Sequence, residues 1–220
     1  QLLAREAGEE DQRLGALTST SLQALRAYLD GQVAYRRGSY ADADTYFRLA
    51  LNADSTFALA ALGWVSSAWW LPGYDRFNQA RAMAWNLRDG LSARDRALLD
   101  AWLGPRYPQS SGWAEHLVRW ELAIAAAPER PESWYESADI YFHYGPLMEV
   151  GNWQFQAETR MQRAADLDPT FAGPLGHLVE LAALRGDGED IRRYQEDYAA
   201  VDSAGETSWF IQWRAASALG

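Results

Sequence analysis

Small and bulky apolar residues return along this chain at helical spacing. In the stretch GSYADADTYFRLALNADS, residues 38–55, Ala43, Phe47 and Ala50 stand at i, i+4 and i+7, so they share one face of a helix. No segment reads as a strand. The helical periodicity is cut by Gly, Pro and capping residues. After a short lead segment it predicts eleven helices, at 21–37, 40–52, 56–71, 75–89, 93–103, 112–127, 131–143, 153–167, 171–185, 187–201 and 206–219. The LTSTS run (17–21) offers N-caps for the first of them, and Ser92 with Asp95 has the spacing of a capping box. Pro131 suits a first helical position, and Pro169 follows a helix end. GDGED (186–190) lacks the alternating acids of a calcium loop and reads as a turn and helix start.

The pattern also repeats over a longer distance. With Ala43 and Ala50 as anchors, the equivalent pairs are Ala80 and Leu87, His116 and Ala123, Ala157 and Ala164, and Ile191 and Tyr198, in steps of 37, 36, 41 and 34 residues. Phe47 maps to Ala84, Trp120, Met161 and Gln195. Upstream, an aromatic or apolar residue is followed four positions later by a small one, as in Trp64 with Ala68 and Trp134 with Ala138. Two helices approach closely only where one presents no bulk. Gly31 and Ala43 are therefore expected to set the distance within a hairpin, and Phe47 to fill the space toward the next. One hairpin cannot bury such a face, whereas stacked hairpins can.

Residues 26–55 carry Gly31, Gly38, Tyr40, Ala43, Phe47 and Ala50, and the fourth unit carries Trp134, Tyr141, Gly145, Ala157, Ala164 and Pro169. On these positions the chain resembles the tetratricopeptide repeat, a helix–turn–helix motif of about 34 residues. The resemblance covers residues 21–220 and implies an all-α fold, a right-handed α-solenoid. Its units would span 24–57, 58–92, 93–130, 131–171 and 172–205, with a capping helix at 206–220 and residues 1–20 as a lead segment from a preceding region. Residues 21–60 are also similar to the repeat arrays attached to bacterial serine/threonine kinases and multidomain regulators, although no kinase residue is present. The start lacks an initiator Met and the end stops within the pattern, which reads as a segment of a longer polypeptide. Two stretches break the register. GPRYPQSSG (104–112) places two prolines where a helix would continue, so that helix must stop early. GPLMEVGNW (145–153) adds about seven residues between the fourth hairpin's helices, either as length drift or as a loop beside a binding face.

Composition narrows the function classes. The 220 residues carry 30 acidic and 20 basic side chains, a net charge of −10, and every basic side chain is Arg. An acidic surface repels phosphate backbones and anionic headgroups, which argues against nucleic acid and membrane surfaces as partners. With 48% apolar residues, 11 Trp and 11 Tyr, the chain has too much apolar matter to stay disordered. The absence of Cys removes disulfides, thiolate nucleophiles and Cys-based metal sites, and leaves the compartment open. No apolar run approaches the roughly 18 residues of a membrane span.

The sequence offers no Gly-x-Ser-x-Gly elbow and no phosphate loop after a strand, and nothing selects a pair of carboxylates, so no enzyme activity is expected. His116 stands at a small-residue position and is expected to be packed. His177 and Glu180, at i and i+3, would supply two metal ligands, but no third is identifiable, and no metal or cofactor is expected. What remains is a surface. The resemblance implies ligand contacts on the inner face of each unit's first helix. These positions are Tyr28, Gln32, Tyr35 and Arg36 in the first unit, Val65 and Trp69 in the second, Tyr135, Asp139, Phe142 and His143 in the fourth, and Glu180 in the fifth. Phe47, Trp64, Trp120 and Trp134 take packing positions. Repeats that clamp a chaperone's C-terminal carboxylate use Lys and Asn where this chain has Tyr28 and Gln32, so that specificity is not expected. An aromatic and acidic wall suits an extended peptide with apolar and basic side chains. The expected function is non-catalytic binding of a protein or peptide partner, as a scaffold within a larger bacterial signalling or regulatory protein. The alternative is glycan capture on exposed rings such as Trp69 and Trp70. Localisation and oligomeric state stay open.

Overall fold

A computed structural model of the chain describes Ser19, residues 21–202, Gly205 and residues 207–220. Most of the lead segment, much of the LTSTS run, Ser203 of the fifth repeat and the expected start of the last helix at Glu206 lie outside the described residues. The described residues contain no strand. They form α1 (Leu22–Arg36), α2 (Tyr40–Ala53), α3 (Ala58–Trp69), α4 (Tyr74–Leu87), α5 (Ala93–Leu103), α6 (Trp113–Ala126), α7 (Pro131–Tyr144), α8 (Trp153–Leu167), α9 (Ala172–Arg185), α10 (Gly188–Val201) and α11 (Ser208–Leu219). A short 3-10 turn, Arg88–Gly90, follows α4.

The helix ends follow local chemistry. Ser21 Oγ accepts from the Ala24 amide at 3.2 Å and starts α1. Ser92 Oγ accepts from the Asp95 amide at 3.2 Å and donates to the Asp95 carboxylate at 2.6 Å, which opens α5. Asp187 accepts from the amides of Glu189 and Asp190 at the start of α10. Just before it, Gly186, at φ 71°, closes α9 in the left-handed region that suits glycine. The prolines of 104–112 stop α5 at Leu103.

The chain divides into two compact units, each described by itself. The first holds the described residues up to Tyr35 and Tyr40–Leu103; the second holds Arg36–Ser39 and Gly104–Gly220. In the first, α2 packs on α3, α3 on α4 and α5, and α4 on α5. The Phe47 ring of α2 is held between two glycine backbones. A Cβ at Gly31 of α1 would stand 2.8 Å from the ring, and one at Gly63 of α3 would stand 2.5 Å from it. Phe47 is 1% exposed, with Ala43 and Ala50 fully buried beside it. The small residues set the helix spacing and the ring fills it, a burial that contributes on the order of 2–3 kcal/mol. Every residue of α3 from Ala58 to Ala68 is buried, and the hydroxyls of Ser66 and Ser67 donate to carbonyls one turn back.

In the second unit α6 packs on α7, α7 on α8, α8 on α9, α9 on α10 and α11, and α10 on α11. The glycine-and-ring device recurs here, since a Cβ at Gly173 of α9 would lie 2.7 Å from the Tyr135 ring of α7. Met161, Ala157 and Ala164 of α8 are fully buried at the register positions of Phe47, Ala43 and Ala50. At the end of α7, Tyr144 stacks on Trp113 at 3.9 Å.

Candidate functional site

The fold sorts the positions implied for a partner by how much of each side chain it leaves open. In the first unit Tyr28 is half-buried and tilted against Phe47 and Phe57, and Gln32 is half-buried. Tyr35 and Val65 are core residues, 2% and 0% exposed. Trp69 is half-buried against Phe77 and Trp102, and its neighbour Trp70 stacks on Tyr40 at 5.1 Å. In the second unit Tyr135 is 1% exposed, packed edge-on against Phe171 and close under Gly173. Arg36 pairs with Glu132 at 2.6 Å and Asp168 at 2.8 Å, with its guanidinium 4.9 Å from the Phe171 ring centre. Glu180 is half-buried and lies 3.4 Å from Arg214. The rings assigned to packing behave alike, since Phe47, Trp64 and Trp120 are buried and Trp134 is half-buried.

Asp139, Phe142 and His143 of α7 come together with His177 of α9. Helical spacing puts Asp139 and His143 on one face of α7. Asp139, 5% exposed, directs Oδ1 to within 3.3 Å of His143 Nε2 and 3.3 Å of His177 Nε2. That oxygen makes no aligned hydrogen bond within the chain. His177 Nδ1 donates to the Gly173 carbonyl one turn earlier in α9, at 3.1 Å. The Phe142 ring stands edge-on to both imidazoles, 4.9 Å from His143 and 5.1 Å from His177, and Tyr135 meets His177 at 5.8 Å. The His143 side chain is 47% exposed, so the cluster opens to solvent on that side.

Burial works to raise the Asp139 carboxyl, but the two imidazoles facing it hold it below the ordinary aspartate value. Burial likewise works to lower His177, and the Asp139 carboxylate outweighs it, so His177 stands above the ordinary histidine value. The carboxylate and the imidazole therefore stabilise each other's charged forms. One ligand atom from each of Asp139, His143 and His177 lies within 4.8 Å of the others, so these three residues could hold a metal ion.

This arrangement corrects the reading of His177 with Glu180. Glu180 faces Arg214, while His177 takes its acidic partner from α7. A signal for it existed in the repeat register. Laid start to start, α7 and α9 place Asp139 opposite Glu180, with His177 one turn before. His116, expected to be packed, is half-buried against Trp113 at 5.9 Å.

No helix among the described residues is long and apolar enough to cross a membrane. No protein-family model matches the chain, and no curated protein matches it. Solved structures do. The chain is similar to PilW, described as a widely conserved type IV pilus biogenesis factor, at 19% identity and a TM-score of 0.50 over 90% of this chain and 86% of that one. It is similar to TTC0263, a thermophilic tetratricopeptide protein of Thermus thermophilus, at 17% identity and a TM-score of 0.53 over 89% of this chain and 98% of that one. With its helix–turn–helix pairs and small-residue register, the chain has the fold of the tetratricopeptide-repeat proteins, an all-α repeat of the α-solenoid class.

Proposed function

We propose that the chain is a non-catalytic protein-interaction module. In this reading it holds an extended partner segment against the first-helix face of its second unit, where Asp139, Phe142 and His143 of α7 meet His177 of α9. The observation that supports it is the half-open wall itself. Phe142 is half-buried and His143 exposed, with the Asp139 carboxylate just beneath them and half-buried Glu180 further along α9. Such a wall suits a segment alternating apolar and basic side chains, with the rings supplying rigid contact area and the carboxylates setting orientation. Tyr28, Gln32 and Trp69, all half-buried, are the corresponding partner positions of the first unit. The similarity of residues 21–60 to arrays in bacterial regulators supports a place within a larger signalling or regulatory protein. A glycan partner draws less support, because Trp69 and Trp70 are packed against Phe77, Trp102 and Tyr40.

The test is selection of binding peptides from a random library by the full chain, in EDTA, followed by titration of the winners. Apolar–basic peptides are expected, and Phe142→Ala should weaken them by about tenfold, the loss of one aromatic anchor. Peptides that bind Phe142→Ala as tightly as the wild type would refute a groove centred on this wall.

A further inference from the structure

We infer that Asp139, His143 and His177 form a binding site for a zinc-type divalent cation, with a fourth position left to water. It uses residues of the same wall, does not require that wall to bind a peptide, and rests on how the three donor atoms are held.

The spacing of the donor atoms suits a metal ion. Ligand atoms about 2.1 Å from a four-coordinate Zn2+ stand about 3.4 Å from one another, whereas on an octahedral ion they stand about 3.0 Å apart. Asp139 Oδ1 stands 3.3 Å from each imidazole Nε2. That is long for a charge-assisted hydrogen bond and close to the edge of a tetrahedral shell.

A carbonyl can only accept, so His177 Nδ1 carries the proton it gives to Gly173. In the neutral ring, Nε2 then turns a lone pair toward Asp139 Oδ1, which also carries lone pairs. Two such atoms face each other stably only with a cation between them. A single proton bridges the carboxylate oxygen to one imidazole at a time, whereas a metal ion is shared by both. The Nδ1–H to a backbone carbonyl is also the outer-shell bond that orients a ligating histidine and fixes its tautomer.

A carboxylate oxygen buried without an aligned hydrogen bond is expensive unless a cation lies beside it. Asp139 and His143 are preset one turn apart on α7, and His177 of α9 completes the set. Half-exposed His143 gives an entry path. Two imidazoles and one carboxylate favour Zn2+ and its first-row neighbours over Mg2+ or Ca2+, which prefer all-oxygen shells. Binding places the ion on the three donor atoms. The ion then ties α7 to α9.

The experiment uses the full chain, stripped with EDTA, desalted, and titrated calorimetrically with Zn2+ alone at about pH 7.5. One Zn2+ per chain is expected, with a rise in melting temperature. His143→Ala removes an exposed side chain. It should lower the melting temperature in EDTA only slightly, while lowering Zn2+ affinity at least as much as the roughly 10–100-fold typical of losing an outer-shell partner. His116→Ala, which changes a histidine outside the cluster, should bind like the wild type. The assignment is overturned by an absence of saturable binding, by wild-type affinity in His143→Ala, or by an equal loss in His116→Ala.

Discussion

Asp44 in the first unit and Asp139 in the second are both aspartates buried in repeat helices, at 1% and 5% exposure, yet their surroundings differ in kind. Asp44 is saturated. Its Oδ1 accepts from the Trp64 indole at 2.8 Å, and its Oδ2 faces Arg76 at 3.3 Å and Arg48 at 3.6 Å. Its partners, an indole and two guanidinium groups, are donors only and offer no lone pair to a metal. Asp139 meets two imidazoles, groups that can donate a hydrogen bond or present a lone pair to a metal. A buried carboxylate surrounded by fixed donors holds helices together. One surrounded by exchangeable donors leaves a position for an exogenous cation. Burial is the same at both sites, so the chemistry of the neighbours separates structure from function.

The largest expected effect falls on the saturated site. Asp44→Ala leaves the Trp64 N–H unpaired in the core and releases Arg76. Both arginines are about half exposed and therefore screened, so the cost should be about 3 kcal/mol rather than more, read by urea unfolding and identical with and without Zn2+. Next comes the difference that defines the second site. At a Zn2+ concentration a hundredfold above Kd the wild type should gain about 2.7 kcal/mol, and Asp139→Asn should gain none, as seen by thermal unfolding in EDTA and in Zn2+. Trp64→Phe, which deletes the indole donor to Asp44 and shrinks the buried ring, should cost about 1–2 kcal/mol. The smallest effect is that of His143→Ala in EDTA, within about 0.5 kcal/mol of wild type for an exposed side chain. A Zn2+-dependent stability change in Asp44→Ala, or Zn2+ protection surviving in Asp139→Asn, would erase the contrast.

Much of the fold was legible in the sequence because its signals are local. Ala43, Phe47 and Ala50 share a face by helical spacing alone, and all three are buried. Ser92, Pro131 and Asp187 mark helix starts through bonds, or through a fixed φ, within a turn of themselves. Gly63 was not legible as the second glycine against Phe47, since nothing in the α3 pattern tells which helix its bare backbone meets. Tyr35, Val65 and Tyr135 show the same limit. A side chain on the inner face of a first helix is exposed or buried according to how closely the next helix lies, and at these three positions neighbours cover it. For the cluster, the sequence showed Asp139 and His143 one turn apart, and His177 one turn from the wrong carboxylate.

By itself, then, the sequence determined the helices, their caps and the small-residue register that lets them pack, because each depends on residues within a few turns of one another. Only the tertiary structure decided which buried carboxylate meets fixed arginines and which meets two histidines. That choice depends on the rotation and axial offset of one packed helix against another. Both are set by the summed contacts of whole faces, from Gly31 and Gly63 on Phe47 in the first unit to Gly173 on Tyr135 in the second.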